Sequence, residues 1–170
     1  MYLKLLGALL ILAGCGGYGV MLAVNHRREV ASLRQLKGAA DKMICELEYR
    51  LTPLPELCIF ASQQTKGPLS QYFRVFADVI QEQVSPDISQ CTTEALRRTA
   101  GLPGQTVLQL QTLGQTLGRF DLTGQIHVLH QCAQSCKNQL EVLEYQQPQR
   151  LRSYQTLGFC TGAALAILLF

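Results

Sequence analysis

The residues whose types and spacing invite chemistry in this chain are few. Cys132 and Cys136 stand four apart, with His127 and His130 just upstream. Two residues at i and i+4 on a helix can share a zinc ion, but a structural zinc site needs four ligands in tetrahedral geometry. At this spacing the two imidazoles do not project alongside both sulfurs, and Cys136 belongs to an apolar helical seam. The pair therefore reads as two small residues that let helices pack, since a reduced cysteine behaves as a small hydrophobe. A cysteine nucleophile paired with a histidine would need a local device to depress its pKa, and nothing in the local sequence supports one. Glu46, Glu48 and Tyr49 could face one another on a helix, yet Glu46 and Asp121 are more economically structural or interfacial carboxylates. The glycines of Leu113–Asp121 lack the G-x-x-x-x-G-K-[ST] order of a phosphate loop, and no strand precedes them. No catalytic residue, metal ligand or cofactor site is assigned, and nucleotide hydrolysis is excluded.

The 170 residues of the chain suffice for one domain and its core but not for two. Hydrophobic residues make up 48% of the chain with only 7% aromatic and no Trp, and they are concentrated at the two ends. All 12 carboxylates lie between Glu29 and Glu144, and of the 15 Lys and Arg only Lys4 lies outside Arg27–Arg152. The charges are mixed along the middle with no basic stripe, which argues against nucleic acid as a partner. The 7 cysteines fall mostly at helical apolar positions rather than in loops. That distribution suits a reducing compartment better than a disulfide scaffold.

Leu3–Val24 is an apolar run broken only by Lys4 and small residues. As a helix it reaches roughly 30 Å, the hydrocarbon thickness of a bilayer. Asn25-His26-Arg27-Arg28 follows as a basic stop that stays on the cytoplasmic side. Leu12-Ala13-Gly14-Cys15 also matches the pattern at which lipoprotein signal peptides are cut and lipidated, but small and apolar residues continue to Val24, so a span is the better reading. At the other end Tyr154–Phe170 forms a shorter apolar run of about 25 Å as a helix. Gly158, Gly162 and Ala166 recur there every four residues, the small-residue stripe by which membrane helices approach closely. Arg150 and Arg152 precede it. The expected organisation is a membrane helix over 1–24, a cytoplasmic helical domain over 25–153 and a second membrane helix over 154–170, with both termini outside the cytoplasm.

Between the spans the apolar spacing is helical throughout. Leu33, Leu36, Ala40, Met43 and Leu47 mark one stripe; Pro53 and Pro55 end that helix or open the next one, with Thr52 as the expected cap before Pro53. Leu54–Gln64 predicts a short helix, Lys66-Gly67-Pro68 a turn, and Leu69–Gln83 a helix with the chain's most aromatic stripe, including Tyr72, Phe73 and Phe76. Ser85 and Pro86 are the expected N-cap and first residue of the next helix, which runs to Thr99. Gly101-Leu102-Pro103-Gly104 is another turn. The following helix, Thr106–Leu117, enters a corner in which Gly118 takes the left-handed conformation and Asp121 caps the last long helix. Gly114 and Gly118 would share one face and let another backbone approach closely. Downstream, Leu122, Ile126, Leu129, Ala133, Cys136, Leu140 and Leu143 form the seam of a helix running to near Gln147. The fold expected is all-α, an antiparallel bundle of about six helices.

The run LGQTLGRFDLTGQ over 113–125 resembles the central signature of the stage III sporulation protein AB family of endospore-forming bacteria. The opening MYLKLLGALLILAG, the stretches LRQLKGA and ELEYRLTPL, and the apolar C-terminus are similar to that family in the same order. The resemblance implies a domain like the helical module of type II secretion and type IV pilus platform proteins. It further implies a place in the channel complex linking mother cell and forespore, in the mother cell's outer forespore membrane. The implied partners are other stage III sporulation proteins, notably the complex's cytoplasmic ATPase, which this protein would dock; self-association is left open. Gly114, Gly118, Asp121, Gln125 and Glu46 are the structural or interfacial candidates. The rival class is a lipid-anchored or tail-anchored helical enzyme with a Cys/His site.

Overall fold

In the structure, a computed structural model, residues 2–82, 87–117 and 122–144 are described, with the backbone alone for 2–20, 22 and 23. Five helices run in order: α1 (Tyr2–Arg50), α2 (Leu54–Gln64), α3 (Pro68–Gln81), α4 (Ile88–Arg98) and α5 (Gly104–Thr116). A sixth, α6, covers 122–144, and no strand occurs among the described residues. The all-α expectation holds. Two compact units divide the chain, Glu29–Glu141 and a second made of Met1–Arg28 with Val142–Phe170.

In that second unit the backbone of 2–28 is helical, and Met21 and Val24 are exposed. Among the described residues no helix is long and apolar enough to cross a membrane. The side chains of 2–20, on which the first apolar run depends, are not among them, and Cys15 is one of these. Tyr154–Phe170, with Gly158, Gly162 and Ala166, also lies outside the described residues, as do Arg150 and Arg152.

The unit Glu29–Glu141 is organised by the stripe read from the sequence. Leu33, Leu36, Ala40, Met43 and Leu47 of α1 are all buried, joined by Ala39 and Ile44. Consecutive helices α2 to α5 pack pairwise against one another. Cys136 of α6 lies close enough to α1 to feel Lys37 and Asp41. The aromatic stripe of α3 is buried, and in it Tyr72 meets Phe73 edge-on at 5.5 Å between centroids and stacks on Phe76 at 5.6 Å.

The corners show which residues stop each helix. A proline restricts the residue before it to extended backbone, so Pro53 holds Thr52 out of the helical region and the turn falls on Leu51, at φ 55°. Thr52 is not the cap expected of it. The residue at the cap position of α2 is Pro53, which makes no side-chain cap bond, while the Thr52 hydroxyl donates to Glu46 Oε1 at 3.4 Å. At the next corner Gly67 takes φ 65° and Pro68 opens α3, where its missing N–H costs nothing. The Lys66 N–H donates to Gln35 Oε1 at 2.8 Å, tying this corner to α1.

Helix α4 begins later than Ser85 and Pro86 suggested, and 83–86 lie outside the described residues. Its cap is Asp87, whose carboxylate accepts from the Ser89 N–H at 3.1 Å and the Ser89 hydroxyl at 2.6 Å. A carboxylate beside the free amides of a helix start is favoured there by both hydrogen bonding and the helix dipole. Helix α5 follows Pro103, which has no capping side chain. Its Gln105 N–H donates instead to Glu29 Oε1 of α1 at 3.3 Å. On α6, Leu129, Ala133, Cys136 and Leu140 are buried as the seam requires, and Val128 and Cys132 widen it. Leu122 departs from the seam: at the first described turn of α6 it is 39% exposed.

Candidate functional site

Helix α4 packs against α5 and comes especially close at Gly114. An ideal Cβ on Gly114 would lie 1.9 Å from Thr92 Oγ1 and 2.6 Å from both Thr92 Cβ and Cγ2. Gly114 is a point of close approach, but what enters is the Thr92 side chain and not the backbone expected there. Thr92 is held in place from its own helix, since its hydroxyl donates to the Ile88 carbonyl at 3.0 Å. It is also hydrogen-bonded to the buried Tyr72 phenol. Burial pushes the Tyr72 pKa up, nearby Cys58 adds to the rise, and the bond to Thr92 opposes it. Gly114, Thr92 and Tyr72 thus link α5, α4 and α3 in a line, with Cys58 of α2 and Cys132 of α6 flanking its inner end. This line was not legible in the sequence, where Thr92 is one of many hydroxyls. Gly118 and Asp121, the other expected parts of the corner, lie outside the described residues. Gln125 is half-buried on α6.

Beyond that contact, α4 and α5 flank an open groove of about 510 Å³ lined by Ser89, Gln90, Thr92, Thr93, Gln111 and Gln115. Its lining offers hydrogen bonds but no acid, thiol or imidazole. The chemistry-bearing residues are elsewhere and kept apart. Cys132 and Cys136 are buried, whereas His127 and His130 are exposed, with His127 Nε2 at 3.0 Å from Gln131 Nε2. The Cys132 thiol is hydrogen-bonded to Cys136, which raises the first and lowers the second. Cys136 has no solvent exposure, so a low pKa gives it no route to a substrate. Burial alone pushes Cys58 up to about 12. Among the described residues no group of three or more His, Cys, Asp or Glu is placed to hold a metal ion.

Glu46 lies in the last turns of α1. It accepts from Arg50 Nη1 at 3.3 Å and from the Thr52 hydroxyl at 3.4 Å, and it pairs with neither Glu48 nor Tyr49, which are exposed. Arg97 and Arg98 both hold Glu94, at 2.8 and 2.7 Å, and Arg98 also approaches Glu82 at 3.8 Å. That basic pair is largely neutralised within the chain. At the α1–α2 corner, by contrast, Tyr49 is 84% and Leu51 65% exposed. Sequence reasoning missed Leu51, though one signal existed: a helix stopped before Thr52-Pro53 with no glycine to make the turn.

The family model described as stage III sporulation protein AB matches residues 4–170. Stage III sporulation protein AB of Bacillus subtilis (strain 168) is 26% identical over 170 residues, covering 98% of this chain and 99% of its own length. A solved structure of stage III sporulation protein AB shares the fold, with a TM-score of 0.59 and 22% identity over 72% of this chain and 98% of that one. The match runs from before the helical domain to the last residue, and on it the chain belongs to the stage III sporulation protein AB family.

Proposed function

We propose that this protein is a membrane-anchored docking component of the channel complex between mother cell and forespore in endospore formation, and that it holds the complex's cytoplasmic ATPase at the membrane. The observation that carries the proposal is the family match over 4–170, which takes in both apolar ends as well as the helical domain. The sequence supports anchoring at each end. Leu3–Val24 is followed by Arg27-Arg28, and Tyr154–Phe170 is preceded by Arg150 and Arg152, so the positive-inside rule keeps residues 25–153 in the cytoplasm and both termini outside. Gly158, Gly162 and Ala166 supply a face for close helix packing within the bilayer. The protein's place is then the mother cell's outer forespore membrane, among other stage III sporulation proteins.

A pull-down from sporulating cells with the tagged full chain tests the platform role. The expected result is recovery of the complex's ATPase, identified by mass spectrometry; recovery of other complex members without it would refute the role. Topology is tested by a Gln105→Cys variant in intact cells. An impermeant thiol reagent should leave it unlabelled, and ready labelling would overturn the hairpin.

A further inference from the structure

We infer that the α1–α2 corner is the docking tip of this protein, and that Tyr49 and Leu51 enter an apolar pocket on a partner protein whose rim carries lysine or arginine opposite Glu48 and Glu56. The inference rests on the docking reading above and names the surface that does the docking.

Backbone conformation gives the first reason. Leu51 adopts φ 55°, a region that costs a residue with a Cβ and that glycine occupies freely. Strain of this kind is ordinarily offset by packing, but the Leu51 side chain is 65% exposed, and Tyr49 two residues before it is 84% exposed. Within the chain the leucine therefore has a cost and little burial. A contact outside the chain supplies what is missing.

The second reason is that the tip is braced. The Leu51 N–H donates to the Leu47 carbonyl at 3.3 Å. Glu46 accepts from Arg50 on one side of the turn and Thr52 on the other. Pro53 and Pro55 restrict the exit. Side chains presented on a backbone already fixed lose less freedom on binding, which favours affinity.

Charge selects the occupant. Arg50 is paired with Glu46, which leaves Glu48 and Glu56 exposed and without an ion-pair partner among the described residues. Two unneutralised carboxylates, one on each side of the corner in the chain, disfavour an anionic lipid surface and nucleic acid. A second copy of the same corner would bring like charges together. A protein pocket with a cationic rim meets both the apolar and the acidic parts.

The test uses the full chain in lipid nanodiscs and the purified ATPase of the complex, with affinity read by biolayer interferometry. Leu51→Gly relieves the left-handed backbone while deleting the side chain, so it should melt at or above the wild-type temperature and yet bind roughly tenfold or more weakly, as for loss of an interface anchor. Tyr49→Ser, at a position too exposed to matter to the core, should weaken binding in the same direction. Glu48→Lys with Glu56→Lys should slow association and reverse the sign of its salt dependence. If the wild type binds and both Leu51→Gly and Tyr49→Ser bind as well as it does, the corner is not the docking tip although the platform reading survives. If the wild type itself does not bind the ATPase, the platform reading falls and this inference with it.

Discussion

Replacing Gly114 by alanine sets two effects against each other, and the structure decides the sign. In an open helix the change stabilises by about 1 kcal/mol, because alanine loses less backbone freedom. Here the new methyl would stand 1.9 Å from Thr92 Oγ1 and 2.6 Å from Thr92 Cβ, where carbon pairs rest at about 3.5–4.0 Å. Rotating the Thr92 side chain moves its hydroxyl and methyl but not its Cβ. It would also break the bonds to the Ile88 carbonyl and Tyr72. Relief must come from α4 and α5 moving apart, and overpacking of this kind costs about 1–3 kcal/mol, occasionally more. With the Thr92 hydroxyl held by two hydrogen bonds and its Cβ fixed to the backbone, the upper part of that range applies, for a net loss of roughly 2 kcal/mol after the propensity gain. That lowers the melting midpoint by about 4–8 °C for a chain of this size. Thermal and urea melts followed by circular dichroism give the measurement. Thr92→Gly should absorb much of the penalty in the double variant, whereas Thr92→Ala, which keeps the Cβ, should absorb less. A Gly114→Ala protein that melts at or above the wild-type temperature would refute the reasoning.

Asp87→Ala should destabilise by about 0.5–2 kcal/mol, the cost of an N-cap, read as a shift in the urea midpoint; Asp121→Ala should do the same if that residue caps α6, and an unchanged midpoint with lost ATPase binding would make it an interface residue. Hydrogen bonds from Arg97 and Arg98 hold the Glu94 carboxyl at about 2, below its ordinary 4.5. Because the folded value is the lower one, its stabilisation is present above about pH 4.5 and fades as pH falls toward 2. Wild type and Glu94→Gln should therefore differ in melting midpoint near neutral pH and converge in acid. Among the described cysteines, exposed Cys45 should alkylate in the native protein. Cys58, buried and pushed up to about 12, should react only after unfolding, as peptide mass spectrometry of the labelled protein can show.

Where an element's identity depends on local pattern, the sequence was sufficient. The spacing of Leu33, Leu36, Ala40, Met43 and Leu47 marked the buried face of α1, since a helix repeats its faces whatever packs on them. Leu54–Gln64 emerged with the expected bounds because Pro53 and Pro55 fix where it can start, and the Lys66-Gly67-Pro68 turn ends the segment after it. Caps were less legible. Ser85, Asp87 and Ser89 are all capable acceptors or donors near one helix start, and only the path of the chain decides that Asp87 meets the free amides. Thr52 failed as a cap because its hydroxyl found Glu46 across the turn.

The glycine at 114 was legible as a site of close approach, but the identity of what approaches was not. Thr92 and Tyr72 belong to other helices, and their meeting with Gly114 is fixed by how α3, α4 and α5 pack, to which no local spacing refers. The same holds for Glu29 serving the start of α5 from 76 residues away. Helical period and most of the core's membership are consequences of local stereochemistry and hydrophobicity, and the sequence determined them. The partners of Gly114 and Glu29, and the exposure of Leu51 on a strained backbone, follow from where whole helices come to rest against one another, and the tertiary structure alone decided them.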